Sequence, residues 1–366
     1  MIIKHYDRLL SLDFLRGFIM VLLTLESTRF FDHLFVWSEG SVMQVLLLQF
    51  FHHPWNGLRF WDLIQPGFMF MAGTAMAFSV SKQTELGVPW NKQFIKSLKR
   101  SGWLFFWGVL DYAVRPGGLS FELWDVLTQL SFTTLVAFLI FRLPVPTQIV
   151  ISIGLLLLTE ILYRFTQLPG FDQPFTDRHN FGNFMDLVLM NKINNDGWVA
   201  INCIPTAAHT IWGAVAGKLL LSTMEDKRKV MYLIISGVIC LVIGYGMDWT
   251  ITPIIKRIAT SSFTITSGGW CLVGLAVCYG WIDAAKHRKH LMFFTIVGMN
   301  SIFIYLFIEI VGGRWFNTYI GAISNGLMEL AHVPEMPMMI ITSLTIFMLE
   351  WGMCYFLYRK RIFFRL

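Results

Sequence analysis

The sequence predicts an all-α integral membrane protein: a polytopic bundle of about ten transmembrane helices, with both termini cytoplasmic. Three observations predict it. Hydrophobic residues fill 55% of the 366 positions and charged residues only 14%, with a mean hydropathy of +0.58. A soluble domain carries about 25% charge, and no single water-soluble core hides this much apolar surface, so lipid must act as the solvent. The apolar residues gather in runs close to the ~20 residues a helix needs to cross hydrocarbon. Basic residues sit in short runs between those stretches, where charge sets orientation.

Taken in order, the spans fall roughly at 12–32, 60–80, 98–115, 121–141, 147–166, 199–221, 229–248, 265–284, 291–311 and 337–358. The first follows Lys4 and Arg8, contains Glu26 and leads to no small-residue cleavage site, so it reads as a retained span. Val42–Phe51 is apolar but short, as suits a re-entrant or interfacial helix. Residues 316–332 either lie along the surface or add a short span. No hydrophilic stretch is long enough for a separate soluble domain, and residues 1–366 read as one domain.

With the N-terminus inside, 19 of the 29 Lys and Arg residues fall on the cytoplasmic side and nine on the other, with Arg16 inside the first span. That asymmetry calls for an even number of spans. The net charge of +6 belongs to this topology signal and not to a nucleic-acid surface. The 33 Phe and 14 Trp suit lipid-facing helices and membrane interfaces. The five cysteines lie in or beside apolar stretches and form no CxxC pair, which excludes a disulfide or metal framework, and no metal is expected.

The extracytoplasmic segments 33–59 and 167–198 are the longest and most polar. Ionisable groups inside spans are expensive and usually face a cavity or a partner. Here they are Arg16, Glu26, Asp62, Asp111, Asp125, Glu160, His209, Glu309 and Glu350, of which Glu160 and Glu350 read as packing anchors. Glu26 and Asp62 flank His52-His53-Pro54-Trp55-Asn56. A neutral imidazole there takes a proton from an attacking amine or hydroxyl, and a nearby carboxylate orients it. Lys256, before Ser261 and Ser262, is either an interfacial anchor or a charge stabiliser; Asn300 either bonds a neighbouring helix or lines a pore.

Several motifs together resemble a known family. Ser11-Leu12-Asp13-Phe14-Leu15-Arg16-Gly17 resembles the SLD-x-x-RG opening of a transmembrane acyltransferase superfamily. His52-His53-Pro54-Trp55-Asn56-Gly57-Leu58, running into Asp62-Leu63-Ile64-Gln65-Pro66 and Phe68-Met69-Phe70-Met71-Ala72-Gly73, is the most specific match. It resembles a stretch of the heparan-α-glucosaminide N-acetyltransferase family. Asp125-Val126-Leu127-Thr128-Gln129, Pro253 to Phe263, and Gly298-Met299-Asn300-Ser301 resemble shorter segments of that family, in the same order.

The resemblance implies a bacterial-type enzyme of the inner, cytoplasmic membrane. It would move an acetyl group from cytoplasmic acetyl-CoA to an amino sugar or other glycan acceptor outside. His52 would be the general base or acyl carrier, with His53 beside it and Glu26 and Asp62 as partner carboxylates. Arg16, Lys96, Lys99, Arg100, Lys227, Arg228, Lys286 and Arg288 would meet the phosphates of the co-substrate. Ser27, Trp55, Asn56, Lys256, Ser262 and Asn300 would line the acceptor site. Ser27 stands where the glucosamine-acting member has Asn, and Glu26 where other relatives are acidic. The family includes dimers, so a homodimer is a further expectation. The alternative is a transporter of a small polar or anionic solute, with intramembrane carboxylates along its path.

Overall fold

The structure is a computed structural model that describes residues 9–115 and 118–364. The chain is 75% helical with no strands among the described residues, consistent with an all-α membrane protein. Lys4, Arg8 and Arg365 of the topology count lie outside the described residues.

In chain order the helices are α1 (Leu10–Ser27), α2 (Phe30–Trp37), α3 (Val42–Leu47), α4 (Ile64–Glu85), α5 (Trp90–Ala113), α6 (Val126–Ile140), α7 (Val145–Phe165) and α8 (Phe181–Met190). Then follow α9 (Cys203–Leu221), α10 (Asp226–Thr250), α11 (Ser261–Cys278), α12 (Met292–Met299), α13 (Ser301–Phe307), α14 (Asn317–Leu330) and α15 (Glu335–Arg359). Their starts follow local chemistry. Asp125 Oδ1 accepts the Leu127 amide at 2.7 Å and caps α6. Asn180 and Thr260 cap α8 and α11 in the same way. Pro89, Pro144 and Pro334 precede α5, α7 and α15, where a residue without an amide hydrogen costs the helix nothing.

Every expected span coincides with a helix or a helix pair. Five helices are long and apolar enough to cross a bilayer: Phe60–Glu85, Val145–Phe165, Asp226–Thr250, Ser261–Ala284 and Glu335–Arg359. A sixth crossing arises if Met292–Met299 and Ser301–Leu330, bent by 75° at Asn300, form one broken span. Of residues 316–332, Asn317–Leu330 form α14, which runs on from the helical turns before it.

The chain packs as two units, each discontinuous in sequence. The first gathers His53–Leu58 and Asp62–Ala285. Within it α4 has 61% of its span buried, whereas only 17% of the α10 span is buried and its aliphatic side chains are exposed. α4 and α9 meet backbone to backbone. A methyl on Gly73 would overlap the Thr210 carbonyl, and one on Gly213 the Phe70 carbonyl. Thr74 Oγ1 bridges the same contact by donating to Phe70 O at 3.0 Å and sitting 3.1 Å from Gly213 O. Small residues of this kind drive helix association where lipid removes the hydrophobic incentive. Met76, Ala77, Val80, Phe138, Ile211 and Ala214 continue the core away from that contact.

The second unit gathers Leu9–His52, Arg59–Trp61 and the chain from Lys286 onward. Here α1 and α12 approach through Gly17 and Gly298, each against backbone atoms of the other helix. Asn300 sits at the break between α12 and α13, fully buried; its amide holds Ile362 O at 3.2 Å and the Phe364 amide at 3.0 Å. After α13 the helix widens to π geometry over Ile308–Phe316.

The glycine contacts set an expectation. Gly213→Leu forces α4 and α9 apart and costs about 3 kcal/mol or more. The variant should lose its monodisperse peak in detergent chromatography, while Gly154→Leu, at a position open on all sides, should keep it.

Candidate functional site

The polar residues of 53–58 are held by a fixed frame. Asn56 pairs with Ile255 in an isolated antiparallel bridge, and the Gly57 amide donates to Ile254 O at 2.8 Å. The Arg257 guanidinium donates to the Pro54 carbonyl. Trp55 Nε1 donates to Phe175 O at 2.8 Å, and its ring packs beside Tyr163, Val199, Ile255 and Ile258. Gly57 has φ +145°, and a Cβ there would stand 2.6 Å from His53 Nε2, so the imidazole lies directly on the glycine face.

The segment that receives this loop is itself locked. Thr260 Oγ1 and Ser262 Oγ each donate to Pro253 O at 2.8 Å, Thr260 Oγ1 accepts the Ile255 amide at 3.0 Å, and Asp248 Oδ1 accepts the Ile254 amide at 2.7 Å. That rigidity aims Lys256. Its Nζ lies 3.5 Å from Asp62 Oδ1 and 5.3 Å from the centre of the Trp198 ring. Asp62 is 1% and Lys256 7% exposed. Asp62 Oδ2 also accepts the His53 amide at 3.2 Å. One buried carboxylate thus fixes the histidine backbone and is neutralised by a lysine, which leans on an aromatic face.

In the first unit the structure brings together His53, Trp55, Asn56, Asp62 and Lys256, with Trp198 as a member that the sequence reading missed. Only its place in the polar segment 167–198 pointed to it. Ser262 is fully buried with its hydroxyl committed to Pro253. Lys96, Lys99, Lys227 and Arg228 are exposed and Arg100 half-buried. Arg228 makes a 3.8 Å ion pair with Glu225 between two exposed side chains, which is worth little.

In the second unit His52 is exposed and its carbonyl accepts from Arg59 Nη1 at 2.9 Å. Glu26 Oε1 accepts Trp61 Nε1 at 3.1 Å. Ser27 Oγ donates to Thr24 O at 2.8 Å, and its carbonyl accepts Asn317 Nδ2 at 2.9 Å. Arg16 is half-buried, Lys286 and Arg288 are exposed, and Asn300 is spent on the chain end described above.

The remaining span carboxylates divide. Asp111 pairs with Arg115 at 2.7 Å. Glu160 is saturated, by Arg164 Nε at 2.6 Å, Thr252 Oγ1 at 2.6 Å and Ser261 Oγ at 3.0 Å; it is the packing anchor expected of it. It lines one side of an apolar groove of about 570 Å³ formed by α7, α9, α10 and α11. Glu350 has no such partners.

Asp186 lies on α8, within the polar segment 167–198 that the sequence marks. Its Oδ2 accepts Trp124 Nε1 at 3.0 Å and its Oδ1 the Ala200 amide at 2.8 Å. Burial pushes its carboxyl up to about 7, against the pull of those two donors. No group of His, Cys, Asp or Glu among the described residues is arranged to hold a metal ion.

Comparison with known proteins assigns no family: no protein-family model matches the chain, and no curated protein matches it.

Two outcomes follow from these contacts. Lys256→Ala strands the Asp62 charge and should cost about 3–5 kcal/mol in chemical unfolding, with Asp62→Asn combined with Lys256→Met recovering part of it. For Asp186 the folded carboxyl binds its proton more tightly than the unfolded one. Its stabilising contribution is therefore complete near pH 4 and is lost as pH rises through about 7. Thermal melts of wild type should decline across that interval, and Asp186→Asn should flatten the slope while losing one hydrogen bond at every pH.

Proposed function

We propose that the chain is a transmembrane acetyltransferase of the bacterial cytoplasmic membrane, crossing the bilayer ten times with both termini inside. It takes the acetyl group of cytoplasmic acetyl-CoA and delivers it to an amino sugar or related glycan on the outer side. The observation that carries this reading is the buried Asp62–Lys256 pair beneath the His53 backbone. A charged pair this deeply buried is expensive to keep in a membrane protein and marks function more often than support. Asp62 lies in the stretch whose motif most resembles the acyltransferase family, and Lys256 in one of its shorter matching segments.

In this reading His52 takes the proton from the attacking amine or hydroxyl, with His53 as its neighbour and second candidate. The new bond forms between that nitrogen or oxygen and the thioester carbonyl carbon. The carbon–sulfur bond breaks, and the proton ends on the CoA sulfur. Lys256 serves the developing oxyanion. Glu26 and Ser27 face the acceptor, and the difference at Ser27 supports an acceptor other than the glucosamine of the resembling family. The exposed Lys96, Lys99, Lys227, Arg228, Lys286 and Arg288, with Arg100 and Arg16, receive the phosphates of the co-substrate.

The test is thiol release from acetyl-CoA by purified protein with glucosamine and other sugar acceptors. His52→Ala should lower turnover by about 10²–10⁴-fold, with CoA binding kept. A wild-type rate in both His52→Ala and His53→Ala removes the catalytic assignment. Absence of CoA binding removes the enzyme class, and uptake of a polar solute without acetyl-CoA would establish the transporter in its place.

A further inference from the structure

Glu350 lies inside the spanning helix α15, is fully buried, and neither of its carboxyl oxygens has a hydrogen-bond partner. Asn317, at the start of α14, is fixed by its Nδ2 donating to Ser27 O at 2.9 Å, which leaves its Oδ1 buried and likewise without a donor. Gly312, in the π-helical turn, gathers both. A Cβ there would stand 3.1 Å from Glu350 Oε1, 3.5 Å from Asn317 Oδ1 and 3.5 Å from the Phe307 carbonyl oxygen. A carboxyl oxygen and an amide oxygen, both buried and without a donor, therefore lie within 3.5 Å of one point beside Gly312.

The charges around it do not answer this. On α15 the neighbour one turn on is Cys354, which is buried. The π-helical turn carries Glu309 and Arg314, and Arg314 Nε donates to the Glu309 carbonyl at 3.0 Å. α14 offers Glu329, and α2 offers Asp32 and His33, whose ring meets Ser343 Oγ at 3.0 Å. α1 holds Asp13, Arg16 and Glu26, and α12 has no charged residue. Among the described residues no cation pairs with Glu350. A carboxylate facing an amide oxygen in a dry interior is repulsive, and a single positive charge between them makes the arrangement attractive. Widened and broken membrane helices recur where proton or alkali ions bind.

We propose that Glu350, Asn317 and the Gly312 turn form a binding site for one monovalent cation, either a proton or an alkali-metal ion. Through Asn317 and the Ser27 carbonyl, its occupancy fixes the end of α1 next to Glu26. The proposal is independent of the acyl-transfer reading, and its test reads no activity.

Full-length protein in lipid nanodiscs is melted at constant ionic strength in choline, potassium or sodium chloride, and its infrared spectrum is recorded for the carboxylic-acid carbonyl. An alkali site gives a saturable rise in melting temperature with sodium or potassium. A proton site gives a neutral-acid band and a melting temperature indifferent to those ions. Glu350→Gln removes the ionisable carboxyl and should abolish either signal. Gly312→Ala keeps the carboxyl but fills the space; it should weaken alkali binding by about tenfold or shift the acid band, and it serves if Glu350→Gln does not fold. Wild type that shows neither an alkali response nor an acid band absent from Glu350→Gln overturns the site.

Discussion

Asp62 stands at the entry to α4, a largely buried helix of its unit, and its carboxylate meets a lysine from a segment far along the chain. Neither charge is tolerable alone in that place. The pair ties the start of α4 to the Pro253–Ser262 segment, while the His53 amide on the same carboxylate ties in the loop between. The backbone bridge at Asn56, the Trp55 indole on Phe175 and the cation–aromatic contact with Trp198 are arranged around this one neutralised carboxylate. Packing supplies the rest: glycine faces on α4 and α9 bring backbones close enough for dispersion to hold them without a hydrophobic drive.

Much of the fold was legible because the bilayer imposes a length. Each expected window contains a helix, and its class follows from composition. Helix ends were less legible, since they depend on caps and stem chemistry. α5 begins at Trp90, directly after Pro89 and eight residues before the expected span, so its first turns carry the exposed Lys92, Lys96 and Lys99. The bend at Asn300 was invisible: the polar residue was read, but not that its amide is consumed by the chain end. How many helices cross depends on more than apolar length, and five or six satisfy that criterion.

The candidate site was legible in part for the same reason. A carboxylate, a lysine and two histidines are conspicuous against so apolar a background, and the structure joins His53, Asp62 and Lys256 in one unit. His52 and Glu26 belong to the other. Ser262 stands at a helix start with its hydroxyl on Pro253 O, and a hydroxyl in sequence does not reveal its acceptor. Glu160 and Glu350 looked alike and differ completely: one has three partners and the other none. Trp198 and Asp186 lay in the right polar segment but carried no local pattern to separate them from their neighbours.

The clamp at Asn300 has a practical side. One amide side chain grips Ile362 and Phe364 as a strand partner would, stacking Phe364 on Phe303 at 5.1 Å. Ile362 and Phe364 are thereby tied to the bend between α12 and α13. A truncation before Ile362 removes both partners of the Asn300 side chain at the bend. Engineering of this protein is better confined to a spacer beyond the clamp.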